Sequence, residues 1–175
     1  MFFSILIAIV VLQRCVELQV AKGNEKWIRS QGGYEVGEAH YKLIVAMHLL
    51  FFVSLITEVQ YHQRELASWW VLPFILFIVA QGLRVWSLTS LGRFWNTKIM
   101  VLPDHSLVKK GPYRYLKHPN YVVVATEILA LPFIFQAYFT LIVFTILNAF
   151  VLRFIRIPAE ERALGIIRTE ETDKS

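Results

Sequence analysis

"PNYVVVATEILALPFIFQAYFTLIVFTILNAFVLRFI", Pro119 to Ile155, decides the fold. Crossing about 30 Å of hydrocarbon takes about 20 apolar residues in a helix. This run is too long to cross once and long enough to cross twice. Pro132 and the following Phe133-Ile134-Phe135-Gln136 mark the bend. The run therefore predicts a tight helical hairpin, its arms at about 120–135 and about 137–156. The first arm is short, so the hairpin either spans or re-enters the membrane.

Three further apolar runs lie upstream: Phe2 to Val20, Leu43 to Val59, and Ser68 to Leu88. Pro73 falls in the first turns of the last, where proline is tolerated. The expected fold is all-α, an integral membrane helical bundle of about five transmembrane helices with a C-terminal helical hairpin. The chain of 175 residues is 56% hydrophobic, has a mean hydropathy of +0.50 and carries a formal charge of +5. That is too apolar for a soluble domain of this size. The cations sit in short loops between apolar runs, which argues against nucleic acid as a partner and for membrane lipids. Residues 1–175 read as one membrane domain, with two N-terminal helices over 1–67, a core over 68–164 and a polar, frayed tail over 165–175. Gln13, Arg14 and Glu17 interrupt the first run where a signal-peptide cleavage site would stand, so it reads as a retained helix. The single cysteine, Cys15, has no partner for an internal disulfide.

Fifteen of the eighteen Lys and Arg residues lie in three segments, the loops 21–42 and 89–120 and the tail from Arg153. With five spans all three fall on one side. The positive-inside rule makes that side the cytoplasm, which predicts a multi-pass cell-membrane protein with its N-terminus outside. Arg14, Glu17, Arg84, Glu127, Arg153, Arg156, Glu160 and Glu161 all fall toward the cytoplasmic ends of their helices. An ionisable residue in a span costs about 2.5–3.5 kcal/mol on insertion scales. Snorkelling explains some of these, and Arg14 and Glu17 are spaced to pair on one helix. As a set they predict a polar cavity opening to the cytoplasm. The outer ends have only Glu58 near a boundary.

Just before the hairpin stands "KKGPYRYLKHPNY", Lys109 to Tyr121. Gly111-Pro112 reads as a turn and His118-Pro119 as a helix start, since proline suits the first helical position. The backbone N–H groups of Asn120, Tyr121 and Val122 are then expected to be free at a helix N-terminus, which attracts a carboxylate or phosphate. Tyr113, Tyr115 and Tyr121 offer ring faces for a flat group or a cation. Such a mixture fits a zwitterionic nucleoside cofactor; an interfacial belt of tyrosine and lysine is the plainer alternative. After the hairpin comes "RIPAEERAL", Arg156 to Leu164, which places Arg156 and Glu160 one helical turn apart. No two of the five histidines are closer than eight residues, so no metal site is expected. A P-loop, a G-x-G-x-x-G and a G-x-S-x-G elbow are all absent from the sequence.

"LVKKGPYRYLKHPNY", an apolar hairpin and then "RIPAEERAL" resemble the isoprenylcysteine carboxyl methyltransferase family over about residues 69 to 164. The whole chain looks most like the bacterial branch found with type III polyketide synthases, whose members O-methylate long-chain alkylpyrones or alkylresorcinols. The resemblance implies that the core is a membrane methyltransferase using S-adenosyl-L-methionine. It implies cofactor contacts from His105, Ser106, Leu107, Val108, Tyr113, His118, Pro119, Asn120, Tyr121 and Glu160, with Arg156 facing the methyl acceptor and Arg156 and Glu160 as the catalytic pair. Lys117 stands where the family has Arg, Val123 where it often has Gly, and the aromatic continuation after Leu164 is missing. The implied partner is a lipid-soluble small-molecule acceptor, with a functional link to a type III polyketide synthase. An acidic enol or a carboxylate is ionised at neutral pH and needs no base, whereas a phenol with a pKa near 10 does. That favours an alkylpyrone enol over a resorcinol. Carboxyl methylation of an isoprenylcysteine-type substrate and a non-catalytic membrane adaptor are the alternatives. A transporter would need polar groups through the full depth of the bilayer.

Overall fold

The structure, a computed structural model, describes residues 1–103 and 105–173, with side chains through 165. In chain order its main elements are α1 (Phe2–Ser30), β1 (Tyr34–Val36), α2 (Glu38–Tyr61), α3 (Val71–Leu91), β2 (Ile99–Val101), α4 (Pro119–Ile134), α5 (Tyr138–Val151) and α6 (Ile157–Asp173). A π-helical turn, Leu152–Arg156, joins α5 to α6. The chain is an all-α membrane protein. Among the described residues four helical stretches are long and apolar enough to cross a bilayer: Phe2–Ser30, Glu38–Tyr61, Val71–Phe94 and Tyr138–Gly165. α4 is apolar but has 16 residues, about 24 Å of helix against about 30 Å of hydrocarbon. The short first arm of the hairpin is thus a property of the fold.

The chain forms two compact units. The first comprises residues 1–38, 91–107 and 159 onward; the second comprises 39–90 and 108–158.

In the first unit α1 extends ten residues beyond the apolar run and carries its polar last turns into the sheet. Gly33 makes the exit possible. A Cβ there would lie 2.3 Å from the Ile28 Cγ2 and 2.9 Å from the Val101 carbonyl oxygen. β1 and β2 pair antiparallel, with Tyr34 opposite Val101 and Val36 opposite Ile99. The sequence showed no sign of this pairing, because three-residue strands are too short for a period of two to register. It joins residues 34–36 to residues 99–101 within this unit. Ile99 and Val101 bury one face of the sheet against Ala159 and Ala163 of α6. Lys98 ties the pair to α1 by donating to Glu25 at 3.1 Å and to Glu35 at 2.9 Å. Burial alone would lower the Lys98 pKa; the hydrogen bonds it donates to Glu35 and Glu25, with their negative charge, outweigh burial and hold the ammonium above its ordinary range. Asn24 donates to the carbonyls of Gly92 and Trp95, and Asn96 to that of Ala21. Within α1 the expected Arg14–Glu17 pair forms at 2.6 Å. A frayed tail is expected over 165–175; α6 continues to Asp173, and residues 174–175 lie outside the described residues.

The second unit holds the hairpin. α4 ends at Ile134, Gln136 takes the left-handed conformation at φ 57°, and α5 starts at Tyr138. At this turn the amide of Ala67 donates to the Ile134 carbonyl at 3.0 Å. Glu58 of α2 caps the start of α5. Its carboxylate accepts from the Phe139 amide at 3.1 Å and from the amide and hydroxyl of Thr140, each at 2.8 Å. Ser54 joins through the Thr140 hydroxyl at 2.8 Å. A carboxylate at the positive end of a helix explains the buried Glu58 without a ligand.

Candidate functional site

Gly111 sets up the site. It takes φ +57°, and a Cβ there would stand 1.9 Å from the Ser90 Oγ and 3.0 Å from the Trp86 Nε1. Only glycine fits, both for its backbone conformation and for the close approach of α3. The expected turn at Gly111-Pro112 is a 3₁₀ turn, Gly111–Arg114, with Pro112 fully buried. It presents Tyr113, whose phenol accepts a hydrogen bond from the Asn120 side-chain amide at 3.3 Å.

The helix start at His118-Pro119 forms as expected, with His118 as N-cap and Pro119 at the first helical position. The free amides expected there are in part engaged. The Tyr121 and Val122 N–H groups donate to the His118 carbonyl at 3.1 and 3.4 Å. The cap residue's carbonyl accepts the first bonds of its own helix, which the sequence argument left out. What the helix start offers is a ring surface. The His118 and Tyr121 rings stack with centroids 5.1 Å apart and planes 20° from parallel, both half-buried.

Arg156 completes this cluster. It is 5% exposed, and its Nε donates to the Tyr121 phenol at 3.0 Å. The aim of Arg156 comes from the π turn. In an uninterrupted α-helix the eight steps from Asn148 to Arg156 would leave the two side chains about 80° apart. The π turn absorbs one residue, so the steps advance as seven do, about 700°, and Arg156 returns to within about 20° of the Asn148 face. Pro158 stands two residues after Arg156, and its missing N–H takes away the α-helical bond to the Phe154 carbonyl. The proline was visible in the sequence; the side on which the helix would yield was not.

A second polar cluster lies in the same unit. Arg84 of α3, 5% exposed, forms an ion pair with Glu127 of α4, also 5% exposed. Gln81 donates to the other Glu127 oxygen at 2.6 Å. The three residues were separately legible as polar groups in apolar runs. That they meet depends on how α3 packs on α4.

Val108 belongs to the second unit. His105, Ser106, Leu107 and Glu160 belong to the first. There the His105 ring packs 4.3 Å from that of Phe94, with its Nδ1 3.0 Å from the Ser106 carbonyl. Ser106 and Leu107 are exposed, and Glu160 is half-buried on α6. The structure therefore brings together Tyr113 with Asn120, and His118 with Tyr121 and Arg156, around the buried Pro119.

An apolar helical chain with this ring-and-guanidinium cluster defines a membrane protein built around the start of α4 and the end of α5. Residues 71–166 match the model of the isoprenylcysteine carboxyl methyltransferase (ICMT) family. The chain belongs to that family, whose methyltransferases use S-adenosylmethionine as methyl donor. Over 162 residues it is 50% identical to the uncharacterized protein YpbQ of Bacillus subtilis (strain 168), covering 93% of this chain and 96% of that one. Over 166 residues it is 25% identical to an uncharacterized protein of Haemophilus influenzae, covering 94% and 96%. No solved structure matches.

Proposed function

We propose that this protein transfers a methyl group to an anionic oxygen of a lipid-soluble acceptor. The buried Arg156, aimed by the π turn and held by Tyr121, carries this reading. A guanidinium in a site closed to water attracts an anion far more strongly than one at a surface. Its planar fork orients as well as binds, so the acceptor oxygen is presented in one direction.

The residues on the first turn of α4 suit a sulfonium nucleoside. The stacked His118 and Tyr121 rings give a flat surface for a purine, and the Tyr113–Asn120 pair gives hydroxyl and amide groups for a ribose. His105, Ser106, Leu107, Val108, Pro119 and Glu160 are assigned to the same role by the family resemblance. Bound S-adenosylmethionine supplies a methyl group already activated on sulfur. The chain's own work is then to bind, align and exclude water. Arg156 neutralises and directs the acceptor anion. Tyr121 fixes the direction of Arg156 by accepting a hydrogen bond from its Nε.

An acceptor already ionised at neutral pH needs no general base. The enol of a long-chain alkylpyrone meets that condition, with a type III polyketide synthase as its source. The carboxylate of an isoprenylcysteine-type molecule meets it equally, and membership of the ICMT family favours that second acceptor. The site is read as cytoplasmic and the N-terminus as external, from the distribution of Lys and Arg.

The test is labelled methyl transfer by detergent-purified protein, with alkylpyrone and prenylcysteine supplied side by side. Calorimetry with S-adenosylhomocysteine runs alongside. Product from one acceptor identifies it. Folded protein that binds no nucleoside and labels neither acceptor refutes the enzyme and leaves the membrane adaptor. Arg156→Lys keeps the charge and loses the fork, so unchanged acceptor turnover in that variant refutes the orienting role.

A further inference from the structure

Asn148 lies on α5 with 3% of its surface exposed, and its amide oxygen is buried with no hydrogen-bond partner among the described residues. A polar group in that state costs stability, more so in a helix that crosses hydrocarbon, where water cannot substitute. Thr145, three residues earlier on α5, repeats the pattern. Its hydroxyl oxygen is also buried without a partner. Helical hydroxyls usually return to the carbonyl one turn back, and Ser87, Thr89 and Thr126 of this chain all do so, at 2.8 to 2.9 Å. Thr145 does not.

These two residues fall on one stripe. Leu141, Thr145 and Asn148 follow each other along one side of α5, and the π turn brings Arg156 round to the Asn148 face. At one end of the stripe the Arg156 guanidinium is held by Tyr121. At the other, Thr145 and Leu141 enter an apolar groove of about 440 Å³ shared with Leu129 and Phe133 of α4. Side chains on a helix lean toward its N-terminus, so Arg156 leans along the stripe toward Asn148.

We propose that Asn148, with Thr145 beside it, recognises a hydrogen-bond donor on the acceptor. The donor is an N–H or O–H that lies between the oxygen held at Arg156 and a hydrocarbon tail lodged in the groove. The inference rests on the proposed function and adds a chemical requirement to it. An acceptor whose head carries such a donor satisfies the buried amide oxygen; one without it leaves that oxygen unpartnered, and sites of this kind reject such analogues.

The test compares the full-length wild type with Asn148→Leu, which keeps the branch at Cγ and removes the amide. Two probes are used: an N-acylated prenylcysteine, and the same thioether carboxylate lacking the acylamino group. Without acceptor, Asn148→Leu is expected to melt at or above the wild-type temperature, because an unsatisfied buried amide has been removed. A lower melting temperature in both Asn148→Leu and the smaller Asn148→Val makes Asn148 structural and overturns the proposal. In methyl transfer, the variant is expected to raise KM for the N–H probe by about tenfold or more and leave the other probe within about twofold. Equal effects on both probes, or none on either, overturn it. Should the wild type methylate nothing, the proposed function fails on its own. Asn148 is then decided by melting with each probe and no methyl donor. A stabilisation by the N–H probe that disappears in Asn148→Leu supports the inference; equal shifts, or none in either protein, refute it.

Discussion

Replacing one member of the Arg84–Glu127 pair should damage the fold far more than replacing both. The side chains are 7% and 6% exposed, and Gln81 occupies the second carboxylate oxygen. Two unit charges about 4 Å apart attract by about 4 kcal/mol at an effective dielectric of 20. Moving each charge out of water costs several kcal/mol, so the intact pair nets close to zero against apolar side chains of similar volume. Removal of one partner leaves the other charge buried and unmatched, which costs about 3–5 kcal/mol. Glu127→Leu and Arg84→Met should therefore each destabilise by about that much, while the double variant costs less than either single one. Equilibrium unfolding in detergent micelles measures all four proteins of the cycle. Single variants each costing under about 1 kcal/mol, or a double variant costing the sum of the two, would falsify the account of a desolvated, mutually dependent pair.

Tyr121→Phe removes the oxygen that accepts from Arg156 at 3.0 Å. A hydrogen bond to a charged group is worth about 1.5–3 kcal/mol, so kcat/KM for the acceptor should fall about tenfold to a hundredfold; an unchanged value detaches Tyr121 from the aim of Arg156. Gly111→Ala should lower the melting temperature clearly, since its Cβ meets the Ser90 Oγ at 1.9 Å, and Ser90→Gly in the same chain should recover part of the loss. Failure of that second change to help would mean that the positive φ, and not the contact, sets the cost. Lys98 is held above its ordinary range by Glu35 and Glu25 against the opposing effect of burial. A raised folded-state pKa stabilises fully below the unfolded value of about 10.4 and is lost as pH rises through the folded value. Melting curves from pH 8 to 12 should thus show a steeper alkaline loss in wild type than in Lys98→Met; parallel curves would contradict the linkage.

Much of this protein follows from the order of its residues. Apolar runs of spanning length dictate helices wherever they occur, because a backbone in hydrocarbon has to satisfy its hydrogen bonds internally. The hairpin bend at Pro132 to Gln136 and the helix start at Pro119 are equally local, since proline acts on its own turn. The pairing of Arg14 with Glu17 is set by helical spacing alone. The family was legible in the two motifs and their order, and residues 71–166 bear it out.

Other features needed the third dimension. Helix hydropathy says that Arg84 and Glu127 want partners, and only the packing of α3 on α4 makes them each other's. The start of α4 read as a row of free amides; in the folded chain His118 takes two of them with its own carbonyl and presents stacked rings instead. The strands β1 and β2 are three residues each and exist only because they meet. Most consequential for function is the π turn at Leu152–Arg156. Periodicity assumes 3.6 residues per turn, and one extra residue in a turn rotates everything beyond it by about 100°. Residue order therefore established that an arginine stands at the end of α5, and the tertiary structure decided that it turns inward to Tyr121.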